Sequence, residues 1–387
     1  MRIGVFTDSY KPYVGGVVRS IEIFTEELKQ LGHEVYIFAP NYPGLPEEED
    51  VFRFPSIPST YKGFYLGLPF STRLEEFLNS HPLDIIHVHS PFILGRLGAR
   101  VAKKLDIPLV FTYHTLYDQY THYVPLIKDL SKEFTRKVTV SFCNQCDLVI
   151  TPTEIICTHI EKMGVTSNIR WLPTGIDLTE FSSLDRTWLK KKLGLDPGEP
   201  VLLFVGRAAK EKNIPFVIDG FAKILEQYNK ASLVIVGEGP ETLNLKKYVK
   251  ELALSERVFF TGNLSRVDLV NAYGGADLFV FSSATETQGI VIAEAKAAGL
   301  PVVAVNAFGV ANMVSDGEDG YLVAMDRQAF SEQIMNLLKD DELRLCLAKR
   351  AVENAKQFSS RLCAQKLVQY YQELLDTRLT KTGAKAQ

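Results

Sequence analysis

The chain of 387 residues is poor in cysteine, has almost no excess charge and contains no long apolar run. Five cysteines are an odd and sparse count for this length, which argues against a disulfide framework. Cys143 and Cys146 form a Cys-x-x-Cys pair. No second pair or neighbouring histidine completes a zinc set, so they read as two reduced thiols one turn apart on a helix end. A formal net charge of −3 gives no broad electrostatic case for a nucleic-acid partner. The longest apolar stretches are strand-sized, such as Val201–Val205, and none approaches the ~20 residues of a transmembrane helix. Met1-Arg2-Ile3-Gly4-Val5-Phe6 begins directly as a short strand, without the basic segment and apolar core of a secretory leader. A cytoplasmic protein is the expectation. The dinucleotide fingerprint Gly-x-Gly-x-x-Gly is also missing, which disfavours a dehydrogenase.

What is present is ample core material: 46% of residues are hydrophobic and 23% charged. Short β-branched runs alternate with longer amphipathic stretches, the signature of parallel sheets covered by helices. In the first half the strand candidates are 3–7, 34–39, 51–54, 85–87, 109–112 and 148–150. The helix candidates there are 18–31, 71–80, 94–105, 126–142 and 154–163. A turn-rich break, Leu172-Pro173-Thr174-Gly175-Ile176-Asp177, and a second at Pro197-Gly198-Glu199-Pro200 precede a restart of the pattern. Strands are then expected at 201–205, 233–236, 258–261, 278–281 and 302–305, with helices at 217–226, 241–252, 267–272 and 290–298. Helices at 328–338, 342–356 and 361–375 end the pattern, and 377–387 reads as a polar, frayed tail. The expectation is two Rossmann-like, doubly wound α/β domains, 1–175 and 176–360, with a cleft between them. Ligands of such sheets bind beyond the carboxyl ends of the strands.

Four segments there carry chemistry. Gly15-Gly16 follows the first strand and opens a helix, where bare backbone and free N–H groups suit an anion; an ordinary turn is the alternative. Gly206-Arg207 leaves a buried strand, with Lys212 five residues on; a guanidinium and an ammonium can stabilise a departing diphosphate without a metal, unless both are plain surface cations. Glu286-Thr287-Gln288-Gly289-Ile290-Val291-Ile292-Ala293-Glu294 crosses a strand–loop–helix junction. There the N–H groups of Gly289, Ile290 and Val291 would face a phosphate, Glu286 a sugar hydroxyl and Glu294 a ribose diol. Glu294 adjoins an apolar helix stripe, so it requires a partner. Finally, His114 ends the strand at 109–112, and His87 and His89 end its neighbour. A structural role and a site role are both open for His114, while a metal site is disfavoured for want of a carboxylate.

In this order, Gly15-Gly16, His114, Pro173-Thr174-Gly175-Ile176-Asp177, Arg207 with Lys212, and Glu286 with Glu294 resemble the family 4 glycosyltransferases over nearly the whole chain. The resemblance implies a GT-B fold: two Rossmann-like domains facing a central cleft, the last helix (361–376) crossing back to the first. It implies an acceptor-binding domain at 1–175 and a nucleotide-sugar-binding domain at 176–360. It further implies retention of anomeric configuration and no metal or other cofactor; no Asp-x-Asp element follows a strand. His114, Arg207, Lys212 and Glu286 would be catalytic. Gly15, Gly16, Gly206, Gly289, Ile290, Val291 and Glu294 would bind the donor.

Tyr113-His114-Thr115-Leu116-Tyr117-Asp118-Gln119-Tyr120-Thr121-His122-Tyr123, Phe142-Cys143-Asn144-Gln145-Cys146-Asp147 and Thr285-Glu286-Thr287-Gln288-Gly289 are similar to segments of the bacterial 1,2-diacylglycerol 3-glucosyltransferases. These move glucose from UDP-glucose to a lipid at the membrane surface. One departure is the stretch 71–80, strongly basic in some lipid-specific relatives, which here sets Arg73 against Glu75 and Glu76. The implied partners are a nucleotide-diphosphate sugar, a lipid acceptor and an anionic membrane surface on the cytoplasmic side. Tyr61, Phe64, Tyr65, Leu66, Leu68 and Phe70 either meet that surface or pack inward. Arg96, Arg100, Lys103 and Lys104, with Lys128, Lys132, Arg136 and Lys137, either attract anionic lipid or form a solvated face.

Overall fold

The structure is a computed structural model. It describes residues 1–59, 63–117 and 128–385, and side chains in the bounding helices from 133 and up to 380. Tyr61, Asp118, Gln119, Tyr120, Thr121, His122 and Tyr123, with the side chains of Lys128 and Lys132, therefore lie outside the described residues. The chain divides into two compact units, Met1–Gly175 with Ser360–Gln387, and Ile176–Ser359.

In the first unit the strands β1 (Arg2–Phe6), β2 (Glu34–Pro40) and β3 (Val51–Phe54) come first. A small antiparallel hairpin follows, β4 (Ser56–Pro58) with β5 (Tyr65–Gly67). Then come β6 (Ile85–Val88), β7 (Leu109–Thr112), β8 (Leu148–Thr151) and β9 (Ile169–Trp171). The parallel sheet runs β3-β2-β1-β6-β7-β8-β9. Its inner strands are buried along their length, as in β6 and β8, because helices cover both faces. The helices are α1 (Gly16–Gln30), α2 (Leu74–Ser80), α3 (Ile93–Leu105), α4 (Lys128–Cys143) and α5 (Glu154–Met163). Val18, Ile21, Phe24 and Leu28 recur at helical spacing and give α1 its buried stripe.

The second unit holds α6 (Trp188–Leu193), β10 (Val201–Val205), α7 (Ile214–Gln227), β11 (Ser232–Val236), α8 (Thr242–Glu251), β12 (Val258–Gly262) and α9 (Arg266–Gly274). It continues with β13 (Leu278–Phe281), α10 (Ile290–Ala297), β14 (Val302–Val305), β15 (Gly320–Val323), α11 (Arg327–Lys339) and α12 (Asp341–Ala355). Its sheet order is β12-β11-β10-β13-β14-β15, all parallel. In this doubly wound order the strand sequence reverses between β10 and β13. In the first unit it reverses between β1 and β6.

Helix α13 (Ser360–Lys385) belongs to the first unit. Cys363, Ala364, Leu367 and Tyr371 join the core that also holds Ile21, Phe24 and Leu28 of α1. The helix extends beyond the expected end at 375, and the expected frayed tail is helical as far as Lys385. Arg378 explains part of the extension, donating to Asp106 at 3.1 Å and Asp147 at 3.3 Å. The short edge strands β9 and β15 and the helix α6 are additions to the sequence expectation. Edge strands such as Ile169–Trp171 are half-exposed and lack the apolar run of the central strands.

Candidate active site

In the second unit the expected residues gather on the loops after β10 and β13, the two strands flanking the reversal point. The loop after β10 is fused to the loop after β11. Gly206 N donates to Val236 O at 3.0 Å, Ala208 N to Glu238 O at 3.2 Å, and Glu241 N to Ala208 O at 2.9 Å. The approach requires glycine. A Cβ on Gly237, which has φ +117°, would lie 2.2 Å from Gly206 O, and one on Gly239 would lie 2.3 Å from Ala208 O. Arg207 leaves this fused platform half-buried.

Lys212 ends a 3-10 turn over Lys210–Lys212. Two buried serines of the β13 loop hold that turn: Ser282 Oγ donates to the carbonyls of Lys212 (2.8 Å) and Asn213 (3.0 Å), and Ser283 Oγ to that of Glu211 (3.2 Å). The Lys212 ammonium forms an ion pair with the Glu286 carboxylate, both side chains mostly buried. Two residues assigned separately to phosphate and sugar thus form one charged pair. The Glu286 carbonyl accepts from Gly309 N at 2.9 Å, which ties the loop to the turn over Phe308–Asn312. Gly289 has φ +87° and is the residue from which α10 starts, with no side-chain cap at its amino end. Ile290 and Val291 form its first turn.

Glu294 is 4% exposed, and it has the partner its burial demands. Arg266 Nη1 donates to Oε1 at 2.6 Å and the Tyr273 hydroxyl to Oε2 at 2.9 Å. The Arg266 guanidinium turns its other edge to Glu180, with Nε donating at 3.0 Å and Nη2 closing the pair. Burial opposes the Arg266 charge, but Glu180 and Glu294 outweigh it and push its pKa up. Burial, and then the Glu294 charge, push the Tyr273 hydroxyl well above its ordinary value.

In the first unit Gly15, extended at φ −177°, caps α1 without a side-chain bond, and its carbonyl accepts from Arg19 N at 3.0 Å. His114 is drawn into a histidine cluster. Its Nε2 shares a hydrogen bond of 2.7 Å with His89 Nδ1, and the two rings stack at 5.0 Å. The His87 ring lies 4.3 Å from that of His89 and bonds Thr112 Oγ1 at 2.7 Å and the α13 hydroxyl of Tyr371 at 2.6 Å. Desolvation pushes His114 down to about 3. Burial, then His114, does the same to His87, and burial, then His87 and His114, hold His89 well below the usual range. All three are neutral at pH 7. Among the described residues no three His, Cys, Asp or Glu side chains converge to hold a metal ion.

Sequence reasoning missed Arg266, Glu180 and Tyr273, and also Ser282, Ser283 and Tyr371. The buried Glu294 signalled that a cation was needed, but 43 lysines and arginines were available to supply it.

Residues 14–180 match the Glycosyltransferase Family 4 profile, and residues 185–358 match Glycosyl transferases group 1. An α-monoglucosyldiacylglycerol synthase of Acholeplasma laidlawii is 31% identical, with full coverage of both chains. The chain belongs to glycosyltransferase family 4. A second relative in this family, an α-monoglucosyldiacylglycerol synthase of Streptococcus pneumoniae, is 35% identical over 83% of this chain and 75% of its own. In fold, the family 4 chain is similar to sucrose-phosphate synthase from Thermosynechococcus elongatus, with a TM-score of 0.80 at 22% identity over 97% of this chain and 99% of that one. It is also similar to Anabaena HepE, solved in complex with UDP and glucose, at TM-score 0.78 and 20% identity, over 96% of this chain and 100% of that one. Its two Rossmann-like units, with the last helix packed on the first unit, are those of the GT-B fold. Among the described residues no helix is long and apolar enough to cross a membrane.

Proposed function

We propose that the protein transfers glucose from UDP-glucose to a lipid acceptor such as 1,2-diacylglycerol, with retention and without a metal. The observation that carries this reading is the full-length similarity to an α-monoglucosyldiacylglycerol synthase, joined to a charged set at the reversal point of the second unit. In that reading Ile176–Ser359 binds the donor and Met1–Gly175 the acceptor. Arg207 and Lys212 stabilise the departing diphosphate, with Gly206 and the N–H groups of Gly289, Ile290 and Val291 at the phosphates. Glu286 accepts from a sugar hydroxyl and, when the donor is absent, neutralises Lys212. Glu294 takes the ribose diol. Gly15 and Gly16 present bare backbone to the donor, and neutral His114 holds a sugar hydroxyl. Attack comes from the face that the diphosphate leaves, and that phosphate helps to take the acceptor proton. The same donor chemistry on a soluble or polyprenyl-linked acceptor, and a non-catalytic sugar-nucleotide-binding regulator, are the competing readings.

The acceptor reading includes peripheral attachment to the inner face of the cell membrane. Exposed Phe70 and Phe134 support it. Phe64 and Tyr65 instead pack on Tyr13 and Tyr42, with rings 5.4 and 4.9 Å apart. Some of the basic residues are already paired: Lys104 with Glu75, Arg136 and Lys137 with Glu133. Attachment should therefore be weak, reversible and lost at high salt. The test combines a panel of nucleotide sugars with diacylglycerol, product-anomer NMR, and flotation with neutral and anionic vesicles. An α-glucosyl lipid made in EDTA is expected. A β-linked product, a strict metal requirement or activity confined to soluble acceptors would reject the corresponding part.

A further inference from the structure

We infer that Arg266, braced by Glu180, is a specificity-determining residue that makes the nucleotide site select ribose over 2′-deoxyribose, through its hold on Glu294. The inference rests on the ribose role proposed for Glu294 and adds residues that role does not name.

Glu294 lies within the largely buried helix α10. A carboxylate removed from water without a cation shifts toward its neutral form. Among the described residues Arg266 is the one cation paired with it, and Tyr273, itself fully buried, supplies the second bond. A carboxylate oxygen has about two acceptor positions. Arg266 takes one on Oε1 and Tyr273 one on Oε2, which leaves one on each oxygen. Two adjacent acceptor positions on one ionised group are what a vicinal diol, with two O–H donors, requires.

The placement of Arg266 points the same way. It is the first residue of α9, after the Ser265 cap, where the helix dipole disfavours a cation. Helix stability therefore does not explain it. Its planar fork divides between two partners, Nε and Nη2 to Glu180 and Nη1 to Glu294, and its face lies 5.7 Å from the Phe181 ring. Glu180 and Phe181 stand on the 3-10 turn Leu178–Phe181 and Glu294 on α10, so two separate elements lock one guanidinium. Lysine cannot reproduce that fork. Glu180 restrains Arg266, Arg266 pairs with Glu294 and fixes its rotamer, and Glu294 discriminates the sugar.

Titration calorimetry of the full chain with UDP and with 2′-deoxy-UDP tests this, using wild type, R266M, R266K and E180Q, each checked for intact fold by circular dichroism. Wild type should prefer UDP by about 10–100-fold, the value of hydrogen bonds to a charged group. R266M should bring the two ligands within about 3-fold, mainly by losing UDP affinity, with R266K and E180Q in between. R266K and E180Q keep the test decisive if R266M does not fold. A merely structural ion pair would leave the preference intact, so full preference in folded R266M or R266K overturns the inference, as does tighter UDP binding, which would make Arg266 a block. Wild type that binds UDP without sugar preference overturns the inference and leaves the transferase reading standing. Wild type that binds no UDP removes the donor reading and this inference with it.

Discussion

The two units share a doubly wound architecture and each gathers a polar cluster that includes side chains near the carboxyl ends of central strands, yet the clusters differ in charge. In the second unit Lys212 with Glu286, and Arg266 with Glu180 and Glu294, are ion pairs. In the first unit His87, His89 and His114 are neutral rings joined to each other and to hydroxyls. The carboxylate there, Asp8, is absorbed by the amino end of α3, accepting from Leu94 N at 2.8 Å and Ser90 Oγ at 2.6 Å. Burial raises its pKa against those bonds. The fold supplies the position, and the loops choose the electrostatics. A set of paired charges offers cations to phosphate and carboxylates to hydroxyls; a neutral set suits hydroxyls alone.

The contrast extends into the cores, and the largest effect is expected there. The Lys296 ammonium lies 2.6 Å from Asp319, at 1% and 0% side-chain exposure, and also donates to Met313 O at 3.0 Å. Asn354 and the Ser315 N–H complete the Asp319 shell, at 2.8 and 2.9 Å. Asp319→Ala leaves a buried ammonium unpaired and should cost about 3–5 kcal/mol in denaturant unfolding. A loss under about 1 kcal/mol would show that the ionic character of this unit is confined to its loops.

Next in size is Lys212→Ala, which removes a cation from the charged cluster. Turnover should fall by about 10²–10³ with the fold intact, read by steady-state kinetics beside thermal unfolding. Near-normal turnover would reduce the Lys212–Glu286 pair to a structural bridge. Glu286→Gln should act mainly on turnover and Glu294→Gln mainly on UDP affinity. Equal loss of UDP affinity by calorimetry would erase that division.

The smallest effect sharpens the neutral side. The histidines have folded pKa values below the ordinary 6.5. The unfolded chain thus binds protons first as pH falls, and the stability they contribute is full above 6.5 and lost below it. Each adds up to about 1.4 kcal/mol per pH unit in that range. The urea midpoint should drop between pH 7 and 5.5, and His87→Gln should make the drop shallower. An unchanged slope would mean that His87 takes up a proton in the folded state.

Much of the fold was legible because it depends on local pattern. Buried parallel strands such as Val201–Val205 and Leu278–Phe281 are unbroken apolar runs, and α1 shows its stripe at helical spacing. The same sequence locality placed Gly206, Arg207, Lys212, Glu286, Gly289 and Glu294 on loops or helix starts after strands, where doubly wound sheets bind ligands. What only the tertiary structure decided is pairing over distance. Arg266 reaches Glu180 and Glu294 from 86 and 28 residues away, Lys212 meets Glu286 across 74, and Tyr371 finds His87 across 284. The extension of the last helix past 375 was decided in part in the same way, by Arg378 reaching Asp106 and Asp147. The physical reason is that a sequence shows which charges burial makes costly, whereas the partner that offsets each cost is chosen by which loops the sheet brings side by side.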